Sequence, residues 1–137
     1  MKQLPTPAPV VTSTTRAFWA ATAEGRFMLQ KCVACGCIQW FPRNYCAECS
    51  QNEFSTFDCS GKGVVYSYTV IRKVANAYKE ATPFVVAYVE LEEGPRVMTN
   101  IVECEPDDVS VGMKVEMVFH DTGEGNALYR FRPVSAT

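Results

Sequence analysis

Two Cys-x-x-Cys turns, Cys32-Val33-Ala34-Cys35 and Cys46-Ala47-Glu48-Cys49, lie ten residues apart and constrain this chain more than any other feature. Such a turn aims two sulfurs at one point, because the intervening backbone closes into a tight knuckle. Gly36, directly after Cys35, has the freedom to take the positive φ that a knuckle often needs. Two knuckles facing each other across a hairpin offer four thiolates, the donor set of a structural zinc site. The spacer is shorter than the roughly 15–20 residues common between paired knuckles, so the hairpin must be tight. Other readings of the same cysteines exist. Seven cysteines is an odd count, which disfavours two disulfides. Neither pair opens a helix within a βαβ pattern, which disfavours a thioredoxin-like redox pair. A tetrahedral four-sulfur site suits iron as well as zinc. Zinc is the expectation, and four sulfurs leave no position for water or substrate, so its role is expected to be structural.

The 137 residues leave room for one ordinary domain, or for a small domain plus a metal module. With 47% hydrophobic and 20% charged residues and no long uncharged apolar run, the composition is that of a globular protein without a membrane-crossing helix. The start, Met1-Lys2-Gln3-Leu4-Pro5-Thr6-Pro7-Ala8-Pro9, lacks the apolar core of a secretory signal. Its alternating prolines suggest an extended arm able to lie on a partner. Reduced thiols and the lack of a signal pattern lead to a cytoplasmic expectation. A formal net charge of −2 argues against a protein that grips nucleic acid through its phosphates.

Residues 13–24 read as a short helix capped by Ser13 or Thr14 and ended by Gly25. Its Phe18 and Trp19 need a surface to cover them, with the ribbon of the same chain the first expectation. Arg26 to Lys31 leads as an extended segment into the first knuckle, and Phe54 and Phe57 look like anchors between the metal module and the C-terminal half. The turn Ser60-Gly61-Lys62-Gly63 marks a boundary. The expected organisation is an arm and helix over 1–26, a zinc ribbon over 27–58 and a β-domain over 59–137. In that last part strands are expected at 64–71, 84–91, 96–102, 114–119 and 128–132, rich in β-branched and aromatic residues and separated by Gly-containing turns. Five short strands with no long helix between them suit a small closed barrel, the five-stranded OB-fold first among the choices. Periodicity alone does not separate it from an SH3-like barrel.

The order of features resembles a known family. Phe18-Trp19, the segment Phe27-x-Leu29-Gln30-Lys31-Cys32-x-x-Cys35-Gly36, and Pro42-Arg43-x-x-Cys46-x-x-Cys49 lead into Ser60-Gly61-x-Gly63-x-Val65-Tyr66-Ser67. Pro83-Phe84-x-Val86-Ala87, Val111-Gly112-Met113 and Phe131-x-Pro133 come after them. This resembles the zinc-ribbon plus OB-fold proteins that accompany thiolases, lipid-transfer-protein aldolases and hydroxymethylglutaryl-CoA synthases. The resemblance runs from about Phe18 to Pro133. It implies a mainly β chain with a short N-terminal helix, a rubredoxin-like zinc ribbon and a C-terminal OB barrel. It further implies a non-catalytic accessory subunit that binds a thiolase-fold catalytic partner and helps hold acyl-CoA, with Cys32, Cys35, Cys46 and Cys49 as the metal ligands. Cys37 departs from the ligand pattern and reads as a bystander.

No catalytic constellation stands out. The sole histidine is His120, beside Asp121, and reads as a strand-end residue. Cys59 and Cys104 have no His near them in sequence and read as small packing residues. For binding, coenzyme A needs cationic heads for its phosphates and an apolar channel for its arm. Arg72, Lys73, Tyr78 and Lys79 join the first two barrel strands, where OB-folds commonly build a binding loop, and are the first candidates for a CoA or partner contact. Arg130 and Arg132, alternating on the last strand, are the second. The rival reading is a nucleic-acid module stacking bases on Tyr66, Tyr68 and Tyr88. A further reading, a rubredoxin-like electron carrier, is weakened by Ser50, where a glycine is more comfortable after Cys49.

Overall fold

A computed structural model describes residues 4–134. Helix α1 spans Arg16–Thr22, shorter than the expected 13–24. Neither Ser13 nor Thr14 caps it. Thr15 holds that position, and its hydroxyl is engaged with Thr12, accepting from the Thr12 amide at 3.0 Å. The turn that follows the helix closes at Gly25, φ 75°, the left-handed residue expected after its C-terminus. There the Arg26 amide donates to the Ala21 carbonyl and the Gly25 amide to the Thr22 carbonyl, both at 3.0 Å, a closure that needs a left-handed residue.

The chain then forms a ribbon of β1 (Met28–Cys32), β2 (Ile38–Gln39) and β3 (Phe54–Asp58) in the antiparallel order β2-β1-β3. Five further strands succeed it: β4 (Lys62–Ile71), β5 (Phe84–Leu91), β6 (Arg96–Ile101), β7 (Lys114–Asp121) and β8 (Ala127–Pro133). They close into a barrel in the order β4-β5-β6-β8-β7, with β7 returning to β4. All pairs are antiparallel except β6 with β8, which meet in parallel at Ile101 and Phe131 alone. This is the five-stranded Greek-key closure of an OB barrel. Gly63 lets β4 and β5 approach: a Cβ there would lie 2.7 Å from the Glu90 carbonyl oxygen and from Val89 Cγ1. Register shifts between Val65 and Ser67, a bulge at Tyr66 that bends the strand.

Strand alternation fills the barrel with Val65, Val85, Ala87, Val89, Leu91, Val97, Ile101, Val115 and Phe131, all buried. The core continues without a break into the ribbon and helix. Phe18 is the hub, with ring centroids 5.1 Å from Phe27, 4.8 Å from Trp40 and 6.1 Å from Tyr129. Trp19 stacks on Tyr129 at 6.2 Å. Edge-to-face aromatic contacts add to burial, so helix, ribbon and barrel share one seam. Phe57 packs against this core; Phe54, also read as an anchor, is half-buried outside it.

Candidate functional site

The two knuckles repeat the same backbone device. In the first, the Gly36 amide donates to the Cys32 carbonyl at 2.8 Å and the Cys32 amide to the Cys37 carbonyl at 2.9 Å. In the second, the Ser50 amide donates to the Cys46 carbonyl at 3.0 Å and the Cys46 amide to the Gln51 carbonyl at 2.7 Å. Ser50, φ 65°, takes the left-handed conformation that Gly36, φ 78°, takes in the first. Serine therefore fills the position where the sequence pattern prefers glycine, at a steric cost of roughly 1–2 kcal/mol.

The knuckles bring the sulfurs of Cys32, Cys35, Cys46 and Cys49 within 4.8 Å of one another. Cys32 and Cys49 approach to 3.5 Å and Cys35 and Cys46 to 3.6 Å. Four sulfurs at about 2.3 Å from a tetrahedral zinc ion lie about 3.8 Å apart, so the cluster fits that ion in donor type, number and spacing. The Glu48 amide points at Cys46 Sγ, 3.4 Å away, as a donor that stabilises a thiolate. Burial opposes ionisation of Cys46, but the Cys49 and Glu48 amides and the Cys35 thiol outweigh it and draw its pKa down to about 7. At Cys49 the Gln51 amide pulls the other way from burial and three neighbouring thiols, which win and push the pKa up to about 12. Cys32 is drawn down as well, chiefly by the Cys35 amide, so negative charge in the cluster is favoured at one cysteine of each knuckle. Cys37 stands outside the four-sulfur group, its thiol directed at the Ile38 carbonyl at 3.7 Å.

A clamp that residue order does not reveal holds the spacer. Gln30 Nε2 donates to the Arg43 carbonyl at 3.1 Å while its Oε1 accepts the Arg43 amide at 2.8 Å. The Pro42-Arg43 step is thus engaged through the Arg43 backbone. Gln39 acts similarly on the second knuckle, its Oε1 accepting the Ala47 amide at 3.1 Å.

The barrel candidates separate. Arg72 Nη2 pairs with Asp107 at 3.4 Å, both exposed. Lys73 and Lys79 are exposed. Tyr78 packs on Phe84 with ring centroids 5.3 Å apart, and its hydroxyl accepts from Arg130 at 3.4 Å. Arg132 is exposed and bonds Glu116 at 3.1 Å. Arg130, expected beside it on the surface, is 2% exposed. His120 is half-buried, with Nδ1 2.9 Å from Arg130 Nη1. Burial first, and then the Arg130 charge, lower its pKa against an opposing pull from Glu103. Tyr66, Tyr68, Tyr88 and Met98 are exposed on the barrel, and the Arg96 guanidinium lies 3.8 Å above the Tyr66 ring while Nε bonds Glu90 at 3.0 Å.

The model for the ChsH2 rubredoxin-like zinc ribbon domain matches residues 19–53, and that for the ChsH2 C-terminal OB-fold domain matches residues 58–120. A DUF35 domain-containing scaffold protein of Methanothermobacter thermautotrophicus is 40% identical over 110 residues, 75% of this chain and 83% of that protein. The chain belongs to the DUF35 family. A chain of the solved Ltp2-ChsH2(DUF35) aldolase superposes on this DUF35 protein with TM-score 0.83 and 32% identity, covering 92% of this chain and 98% of that one. The benzoylsuccinyl-CoA thiolase subunit BbsA of Geobacter metallireducens is 33% identical over 87 residues, 64% of this DUF35 chain and 57% of that protein.

Proposed function

We propose that this DUF35 protein is a non-catalytic accessory subunit of a thiolase-type enzyme that forms or cleaves carbon–carbon bonds of acyl-CoA. The observation that carries this reading is the likeness, along nearly the whole chain, to a component of the Ltp2-ChsH2(DUF35) aldolase. The thiolase subunit named among its relatives supports the same partner class. Cys32, Cys35, Cys46 and Cys49 hold a structural zinc ion, which fixes the two knuckles; four thiolate ligands leave it no position for substrate. The chain's own residues then serve by shape. Gln30 clamps the spacer, the Phe18 hub locks ribbon to barrel, and a rigid surface faces the partner. Lys73 and Lys79, exposed in the β4–β5 loop, are assigned to CoA phosphate or partner contacts, with Arg72, exposed but paired with Asp107, and Tyr78 supporting the loop. Free thiols suit a reducing, cytoplasmic setting.

Affinity purification of the tagged chain from its own cells tests this. One acyl-CoA enzyme is expected in fixed ratio, and its turnover should fall when the chain is removed. A chain that emerges alone, beside an enzyme fully active without it, contradicts the reading.

A further inference from the structure

Arg130 lies on β8 between Tyr129 and Phe131, on the opposite side of the strand from the buried Phe131 and the same side as the exposed Arg132. It is nonetheless 2% exposed. Nη2 donates to the Pro5 carbonyl at 2.6 Å and to the Tyr78 hydroxyl at 3.4 Å, and Nη1 meets His120 Nδ1 at 2.9 Å. These acceptors are uncharged, and among the described residues no carboxylate pairs with this guanidinium. Burial accordingly lowers its pKa, against a smaller opposing effect of Tyr78. A buried cation offered only neutral acceptors is an unfinished ion pair.

Beside it runs a groove of about 650 Å³, walled by Leu4, Pro83, Phe84, Val85, Ile101 and His120. Two of these residues adjoin the guanidinium's partners: His120 is one itself, and Leu4 precedes Pro5. The arm thus lays an isobutyl group, 6% exposed, along the wall and a neighbouring oxygen on Arg130. It stands where an amphiphile with an acceptor at one end would stand.

We propose that the groove and Arg130 bind a carboxylate carrying an aliphatic or aromatic tail, in exchange for the Leu4–Pro5 arm. A carboxylate forms two charge-assisted bonds to a guanidinium where Pro5 supplies one neutral oxygen, and its tail meets the apolar wall. Glu103 and Glu105 also border the groove. Glu103 shares Arg132 with Glu116, at 3.6 Å and 3.1 Å, and both Glu103 and Glu105 are exposed to solvent, where their charges are screened. This site stands apart from the accessory-subunit role and does not depend on it.

Heteronuclear NMR titration of the full chain with sodium hexanoate and with hexanamide tests the proposal. Hexanoate is expected to shift the amides of Phe84, Val85, Ile101 and His120. It should bind at least about tenfold tighter than hexanamide, as a charged acceptor against a neutral one. Leu4→Ser, which weakens the arm's hold, should tighten hexanoate binding several-fold, and Arg130→Gln should erase the preference for the acid. If Arg130→Gln does not fold, the two probes on the natural chain and on Leu4→Ser still decide. Equal affinity for acid and amide, or no shift at the groove in Leu4→Ser, overturns the proposal.

Discussion

The Thr22 hydroxyl accepts the Ala127 amide at 3.0 Å and donates to the Trp19 carbonyl at 2.6 Å. One buried side chain near the end of α1 therefore secures the start of β8, which closes the barrel. Thr22→Val keeps the shape and removes both bonds, leaving the Ala127 amide without its partner. Urea unfolding should show a loss of about 1–3 kcal/mol. Thr22→Ser retains the hydroxyl and should lose clearly less; equal losses in the two variants would show that packing, not the bond, matters there.

The metal assignment separates the cysteines by consequence. Cys46→Ser should give metal-poor, poorly soluble protein, because structural zinc contributes on the order of 10 kcal/mol to folding in small zinc modules. Cys37→Ser, outside the four-sulfur group, should retain one zinc per chain and its melting temperature. Elemental analysis with thermal melting reads both. A soluble, well-folded Cys46→Ser protein would count against a structural metal.

Gly63 is required by contact, since a Cβ would meet β5 backbone at 2.7 Å. Gly63→Ala should destabilise the barrel by about 1–3 kcal/mol, as overpacking does, with weakened strand pairing visible as faster amide exchange in β4 and β5. Unchanged exchange would show that the strands separate freely.

His120 carries a pH signature. Its folded pKa lies below the ordinary value near 6.5, chiefly through burial and then the Arg130 charge. The folded state therefore binds fewer protons than the unfolded one in the window below about pH 6.5. Its stabilising contribution is present above that pH and declines as pH falls towards the folded pKa. His120→Gln should flatten this part of the stability–pH curve; an unaltered slope would place the titration elsewhere.

Much of this was readable from residue order. The knuckle spacing foretold four converging sulfurs, and β-branched runs between Gly turns foretold the barrel strands within a few residues. What escaped depends on contacts between distant segments. Phe54–Asp58 lacks clean alternation, so its pairing with β1 gave no periodic signal. Gln30 looked like an ordinary strand residue until the spacer folded back onto it. Arg130 shares its side of β8 with Arg132, and nothing local distinguishes them. The arm that buries Arg130 lies 125 residues away.

As the proposed zinc-stiffened adaptor of an acyl-CoA enzyme, this DUF35 chain should bind that enzyme directly. Light-scattering chromatography of the purified zinc-loaded chain with the thiolase-type enzyme from the same cells tests it most directly. A single peak of fixed stoichiometry, accompanied by raised acyl-CoA turnover, is expected. Two separate peaks, with turnover the same whether or not the chain is present, would contradict it.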